Sequence, residues 1–164
     1  MFQAKKGFTL IEMLVVIGII GVLVAIVLFS VFNTTGKARD AKRKAEITQM
    51  GRLLSASCYV PVSGGGVYDL MEIIEDIKIH QPQYAEFIKE IPRDPLAGTD
   101  TESFYLYEVT AGGKQCVLYA NLENEKEKVT LVELTGPTPG GGVGVLEADG
   151  EGWNGTRLYM QVSN

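Results

Sequence analysis

The chain has 164 residues, with 15 Lys and Arg against 20 Asp and Glu and a formal net charge of −5. Hydrophobic residues make up 46% of it, too many for a disordered chain, and one His (His80) with two Cys (Cys58 and Cys116) excludes a His cluster, a Cys-rich zinc site and a dense disulfide scaffold. The charge divides unevenly: residues 1–52 hold 8 basic and 3 acidic side chains, residues 53–164 hold 7 and 17. Any contact with nucleic acid or anionic lipid therefore belongs to the first part.

From Met13 to Phe32 the chain runs for twenty residues with Ser30 as its only polar side chain. As a helix this is about 30 Å long, enough to cross a bilayer. A cleaved secretory signal has a shorter apolar core and a small-residue cut site, whereas this run leads directly into a charged continuation, Lys37-Ala38-Arg39-Asp40-Ala41-Lys42-Arg43-Lys44. A plain membrane anchor would have to hold Glu12 at the headgroup level. The alternative gives Glu12 a partner cation from another copy of the chain.

Lys5-Lys6-Gly7-Phe8-Thr9-Leu10-Ile11-Glu12 resembles the processing site of type IV pilins and pseudopilins: a short basic leader ending in Gly, then Phe, with Glu four positions on and the apolar span behind it. The resemblance implies a prepilin with a class III signal sequence. A prepilin peptidase would cut between Gly7 and Phe8 and methylate the new amino terminus, and an assembly platform would extract the chain from the inner or cytoplasmic membrane into a filament of its own copies. In such a filament the Phe8 amine of one subunit meets the Glu12 carboxylate of its neighbour. The positive-inside rule conflicts, since Lys37, Arg39, Lys42, Arg43 and Lys44 outnumber Lys5 and Lys6. The resemblance is followed, which puts the head outside the cytoplasm and, after assembly, in a cell-surface filament.

The expected organisation is a leader over 1–7, a transmembrane and polymerisation helix over 8–32, a continuing amphipathic helix over 33–58 and a head over 59–164. In the amphipathic part Ala38, Ala41 and Ala45, then Ile47, Met50, Leu54 and Cys58, recur at helical steps. Its basic run is read as an outward, solvated face, and Gly36 and Gly51 as sites for a bend. Pro61 and Ser63-Gly64-Gly65-Gly66 end the helix. Asp69 to Glu72 resembles a capping box that opens a helix over 69–80, with Leu70, Ile73, Ile74 and Ile77 on one face and His80 closing it against the helix dipole. Residues 82–90 are expected to add a helical turn or two with Tyr84, Phe87 and Ile88 inward. Strands are expected over 104–110 and 115–122, joined at Ala111-Gly112-Gly113-Lys114, and over 128–134 and 157–162. The fold class is α+β, pilin-like: a long N-terminal helix covered by a small antiparallel meander. Pro92-Arg93-Asp94-Pro95 is also similar to the heads of secretion-type major pseudopilins.

Cys58 and Cys116 either form a disulfide closing helix to sheet or remain two buried thiols, and the bond is preferred. Glu147, Asp149 and Glu151 form a weak Ca²⁺ candidate on a glycine-rich loop, with a solvated acidic turn preferred and no metal assigned. No nucleophile has a base and orienter, and no Gly-rich loop leads from a strand into a helix, so an enzyme, a cofactor and a nucleic-acid partner are not expected. The leading reading is a structural subunit of a type IV pilus. The alternatives are a pseudopilin of a type II secretion or DNA-uptake system, and a membrane-anchored ectodomain for sensing or adhesion.

Overall fold

A computed structural model describes residues 9–85, 88 and 90–164, with the backbone alone for residues 29–33 and 85. The chain divides into two units, Met1–Gly36 and Lys37–Asn164. Helix α1 (Leu10–Ala56) supplies the described part of the first unit and opens the second. In the first unit Leu10–Leu28 is a 19-residue stretch of mean hydropathy 3.0, long and apolar enough to cross a membrane, and none of it is buried.

The second unit is built on a stripe of α1 formed by Asp40, Arg43, Ile47, Met50, Gly51 and Leu54, all buried. These positions recur every three or four residues, so one helical face meets the rest of the unit. The expected Ala38, Ala41 and Ala45 stripe lies instead on the exposed side. The expectation of an outward basic run also fails at Arg43, which is fully buried beside Asp40 because both find charged partners in the head. Gly51 marks a close approach: a Cβ there would lie 2.5 Å from Val162 Cβ.

Strand β1 (Gly66–Asp69) leads into α2 (Leu70–His80) and a single turn, α3 (Pro82–Ala85). Asp69 caps α2 by accepting from Met71 N, and Ile73, Ile74 and Ile77 are buried with Ile88. Tyr84 is exposed, not inward as expected, since α3 is too short to present a buried face. Phe87 lies outside the described residues. Strands β2 (Leu106–Val109), β3 (Cys116–Asn121), β4 (Val143–Glu147) and β5 (Leu158–Ser163) complete an antiparallel sheet of order β1-β2-β3-β5-β4.

This is not the simple meander expected, because β5 inserts between β3 and β4. Two strands were not foreseen: β1 begins inside the glycine run, and β4 follows the Gly140-Gly141-Gly142 loop. Conversely, residues 128–134 form no strand. They cross β4, with the Thr130 and Leu131 N–H groups both donating to Val145 O, and Val132 is left exposed. The two middle strands are buried on both faces. Cys116, Leu118, Ala120, Leu158, Met160 and Val162 pack towards α1 and α2, while Val117, Tyr119, Leu146 and Tyr159 pack under Leu131, Leu134 and Trp153.

A disulfide joins Cys58, two residues past the end of α1, to Cys116 at the start of β3, with Cα atoms 5.6 Å apart and a sequence separation of 58. Closing a loop of that length restricts the unfolded chain. Peptide mapping without reductant should recover the two cysteines as one linked pair, and Cys58→Ser with Cys116→Ser should lower unfolding free energy by about 2–4 kcal/mol. Two freely alkylated thiols in the native protein would contradict this.

Candidate functional site

At the start of α1, Thr9 and Glu12 cap the helix reciprocally. The Thr9 N–H and hydroxyl each donate to Glu12 Oε2 at 2.8 Å, and the Glu12 N–H donates to Thr9 Oγ1 at 3.3 Å. This is the T-x-x-E capping box, and it places the carboxylate in the first turn, where the helix dipole favours a negative charge. Glu12 thus has a local role that the sequence reading did not assign. Gly7 and Phe8 lie outside the described residues. Nothing approaches Gly18 or Gly21 within 4 Å of an added Cβ, so the span is open to close packing by another helix.

In the second unit a buried charge hub fixes the head to α1. Arg43 donates to Asp94 as a fork, Nε to Oδ2 at 2.8 Å and Nη2 to Oδ1 at 2.9 Å. Its remaining nitrogen, Nη1, reaches Asp40 Oδ1 at 2.7 Å and Glu123 Oε2 at 3.3 Å. Asp40 in turn accepts from the Glu123 and Asn124 N–H groups at 2.9 and 2.8 Å. Arg39 pairs with Glu123, and Lys44 with Glu127. Asp94 also accepts from Leu96 N, Ala97 N, Asn154 Nδ2 and Trp153 Nε1. One carboxylate therefore gathers α1, the 94–98 turn and the 153–156 turn.

Burial alone would raise the Asp94 carboxyl, but Arg43, the Ala97 and Leu96 N–H groups and the Asn154 amide hold it well below the usual carboxylate range. Burial likewise works against the Arg43 charge and is outweighed by Asp94 and Asp40, which keep the guanidinium firmly protonated. Asp69 does for the other end of the loop what Asp94 does for its start. It accepts from the Ser103 and Phe104 N–H groups, and Phe104 stands at φ 60°, a left-handed backbone that few non-glycine residues adopt. Its ring packs against Trp153, centroids 6.1 Å apart.

The other residues singled out by sequence fall elsewhere. Cys58 and Cys116 are bonded to each other. Glu147, Asp149 and Glu151 are exposed, Glu147 facing Arg157 at 3.6 Å, and no group of three metal-binding side chains occurs among the described residues. His80 Nδ1 lies 3.1 Å from Asp76 in the last turn of α2. The hub itself was not anticipated, although counting back from Leu54 and Ile47 by helical steps reaches Arg43 and Asp40.

Residues 3–31 match the family model of the prokaryotic N-terminal methylation motif. No curated protein and no solved structure matches the chain. The N-terminal segment is a class III signal sequence of the prepilin and pseudopilin kind, and the motif's family is structural rather than enzymatic. The match covers the N-terminal motif alone; together with the apolar span and an α+β, pilin-like head of helix and five-stranded antiparallel sheet, it supports a type IV pilin-like or pseudopilin-like protein.

Removing one partner of the hub leaves a buried charge unpaired, so Arg43→Met should cost about 3–5 kcal/mol. Asp94 has a folded pKa depressed below its unfolded value of about 3.9. Its contribution is present above that value and is lost as pH falls through the folded one. Urea unfolding of the wild type should therefore weaken more steeply below about pH 4 than that of Asp94→Asn. Parallel pH profiles for the two proteins would show that the pair does not carry the effect.

Proposed function

We propose that this chain is a structural subunit of a type IV pilus, stored in the membrane as a prepilin, cleaved after Gly7 and polymerised through its N-terminal helix. The observation that carries the reading is the wholly unburied apolar stretch Leu10–Leu28 with a capped carboxylate, Glu12, at its head. Lipid accepts such a stretch in the stored form, and the same stretch from other copies accepts it in a filament. The Phe8 amine created by cleavage would neutralise the Glu12 of a neighbour. At ~4 Å and an effective dielectric near 20 the attraction is roughly 4 kcal/mol before desolvation, and a mispaired subunit would bury both charges alone. That penalty sets the register. A repeated head-to-tail contact that does not close makes an open helical filament.

One observation favours a second reading, a pseudopilin of a type II secretion or DNA-uptake system. The Pro92-Arg93-Asp94-Pro95 segment, similar to major pseudopilin heads, supplies the Asp94 on which the hub is built.

Two sets of variants test the reading. The mature chain should begin at Phe8, and Gly7→Val should leave an unprocessed membrane pool, both visible by mass spectrometry. Glu12→Gln keeps an acceptor for the capping box but removes the charge, whereas Glu12→Ala removes both. Charge pairing between subunits predicts that both variants leave stable monomer and no filament. Normal filaments from Glu12→Gln would reduce Glu12 to a helix cap and sink the pairing mechanism.

A further inference from the structure

The turn over residues 153–156 is latched to the hub through Asn154. Its Nδ2 donates to Asp94 Oδ2 and to Asn121 O, both at 2.9 Å, and its backbone N–H donates to Asn121 Oδ1 at 2.7 Å. The other end of the amide, Oδ1, is the only buried side-chain polar atom without a hydrogen-bond partner among the described residues. Turning the amide over would set that oxygen against Asp94 and the Asn121 carbonyl, so the neighbours fix its orientation. Gly155 follows at φ 77°, where an L side chain is strained. The latch therefore demands an amide at 154 and the turn demands glycine at 155, and Asn154 is the one asparagine of the chain followed by glycine.

Asparagine before glycine is a chemically labile pair, because the unhindered glycine nitrogen reaches the side-chain carbonyl of the residue before it. In the folded head three features oppose that attack. The Gly155 N–H is occupied by Gly152 O at 3.0 Å. The departing amide nitrogen is held by Asp94 and by the Asn121 carbonyl. Attack at Cγ would also put negative charge on Oδ1, which is buried with no donor to receive it.

We propose that Asn154-Gly155 is a self-modification site, kept closed by the folded head, that reacts when the 153–156 turn leaves Asp94. The Gly155 nitrogen then bonds to Asn154 Cγ, the Cγ–Nδ2 bond breaks, and ammonia leaves with the Gly155 proton. Water adds to one carbonyl of the cyclic imide and reopens it, leaving an aspartate or its β-linked isomer; nothing is oxidised or reduced. The product carries a carboxylate where Nδ2 stood 2.9 Å from Asp94 Oδ2, so donation gives way to repulsion and the turn does not relatch at neutral pH. Trp153, which donates to Asp94 at 3.3 Å in the latched turn, is released with it. One opening of the turn is thereby recorded irreversibly in the chain. This inference does not depend on the filament reading.

The test follows Asn154 by peptide-resolved mass spectrometry in the full-length chain, in non-ionic detergent at mildly alkaline pH. Protein unfolded in guanidinium chloride and reductant should convert the amide to the acid at least about tenfold faster than folded protein. Folded Asp94→Asn, whose latch lacks the charged acceptor, should convert faster than folded wild type. Asn154→Asp, which mimics the product, should have a lower urea midpoint than Asn154→Ala at neutral pH, and the two should converge as acid protonates the carboxylates. Its single tryptophan, Trp153, should emit further to the red than in wild type. An Asn154→Asp chain that fails to fold where Asn154→Ala folds gives the same answer. Equal conversion in folded and unfolded protein, none in either, or an unchanged rate in Asp94→Asn would overturn the proposal. So would an Asn154→Asp midpoint at or above that of Asn154→Ala.

Discussion

A buried guanidinium cannot be left without partners, and the second unit is arranged around meeting that demand for Arg43. Its donors require carboxylates from three different segments: Asp40 one turn back on α1, Asp94 in the loop after α2, and Glu123 after β3. Asp94 in turn collects the Leu96 and Ala97 N–H groups of its own turn, and Asp40 collects the Glu123 and Asn124 N–H groups of the segment after β3. The loops at this end of the sheet are thereby tied to one helical face without relying on apolar contact. Such a buried network is a weak source of net stability against a well-packed apolar alternative, but it is strongly specific, since every wrong docking leaves a charge unpaired.

Further along the helix the same face changes chemistry. Ile47, Met50 and Leu54 meet the apolar side of the sheet, Gly51 lets β5 come close, and the Cys58–Cys116 bond closes the far end. Tyrosines bridge the two regimes: Tyr105 donates to Glu46 on α1, and Tyr107 donates to the carbonyl of Tyr59. Burial and the Glu46 carboxylate raise Tyr105, while burial outweighs the Tyr59 contact to push Tyr107 up to about 12, so both remain hydrogen-bond donors across the working pH range. The head is thus fastened by charge at one end, packing in the middle and a covalent link at the other.

What could be read from the sequence follows from how local each signal is. The membrane-length run, the N-terminal methylation motif, α2 with its Asp69 cap and the Val109–Cys116 hairpin are all encoded within short stretches of chain. The misreadings concern partners distant in the chain. Asp40 and Arg43 looked like surface charges because their partners in the head lie 51 or more positions away, and the alanines beside them mimicked an apolar stripe. Residues 128–134 alternate like a strand, yet the place next to β4 is reached by single bonds to Val145, and β5 takes the sheet position between β3 and β4. The contact of the Tyr119, Tyr159 and Trp153 rings was equally invisible, since they meet only once the sheet order is known.

The N-terminal unit and the head divide the work that the filament account requires: one is apolar and unburied along its span, the other satisfies its charges internally at the hub. The most direct measurement is the composition of filaments sheared from the surface of cells that produce the wild-type chain. The account predicts long filaments whose main component, by mass spectrometry, is this protein starting at Phe8. Processed chain confined to the membrane, with no surface filament containing it, would contradict the pilus assignment.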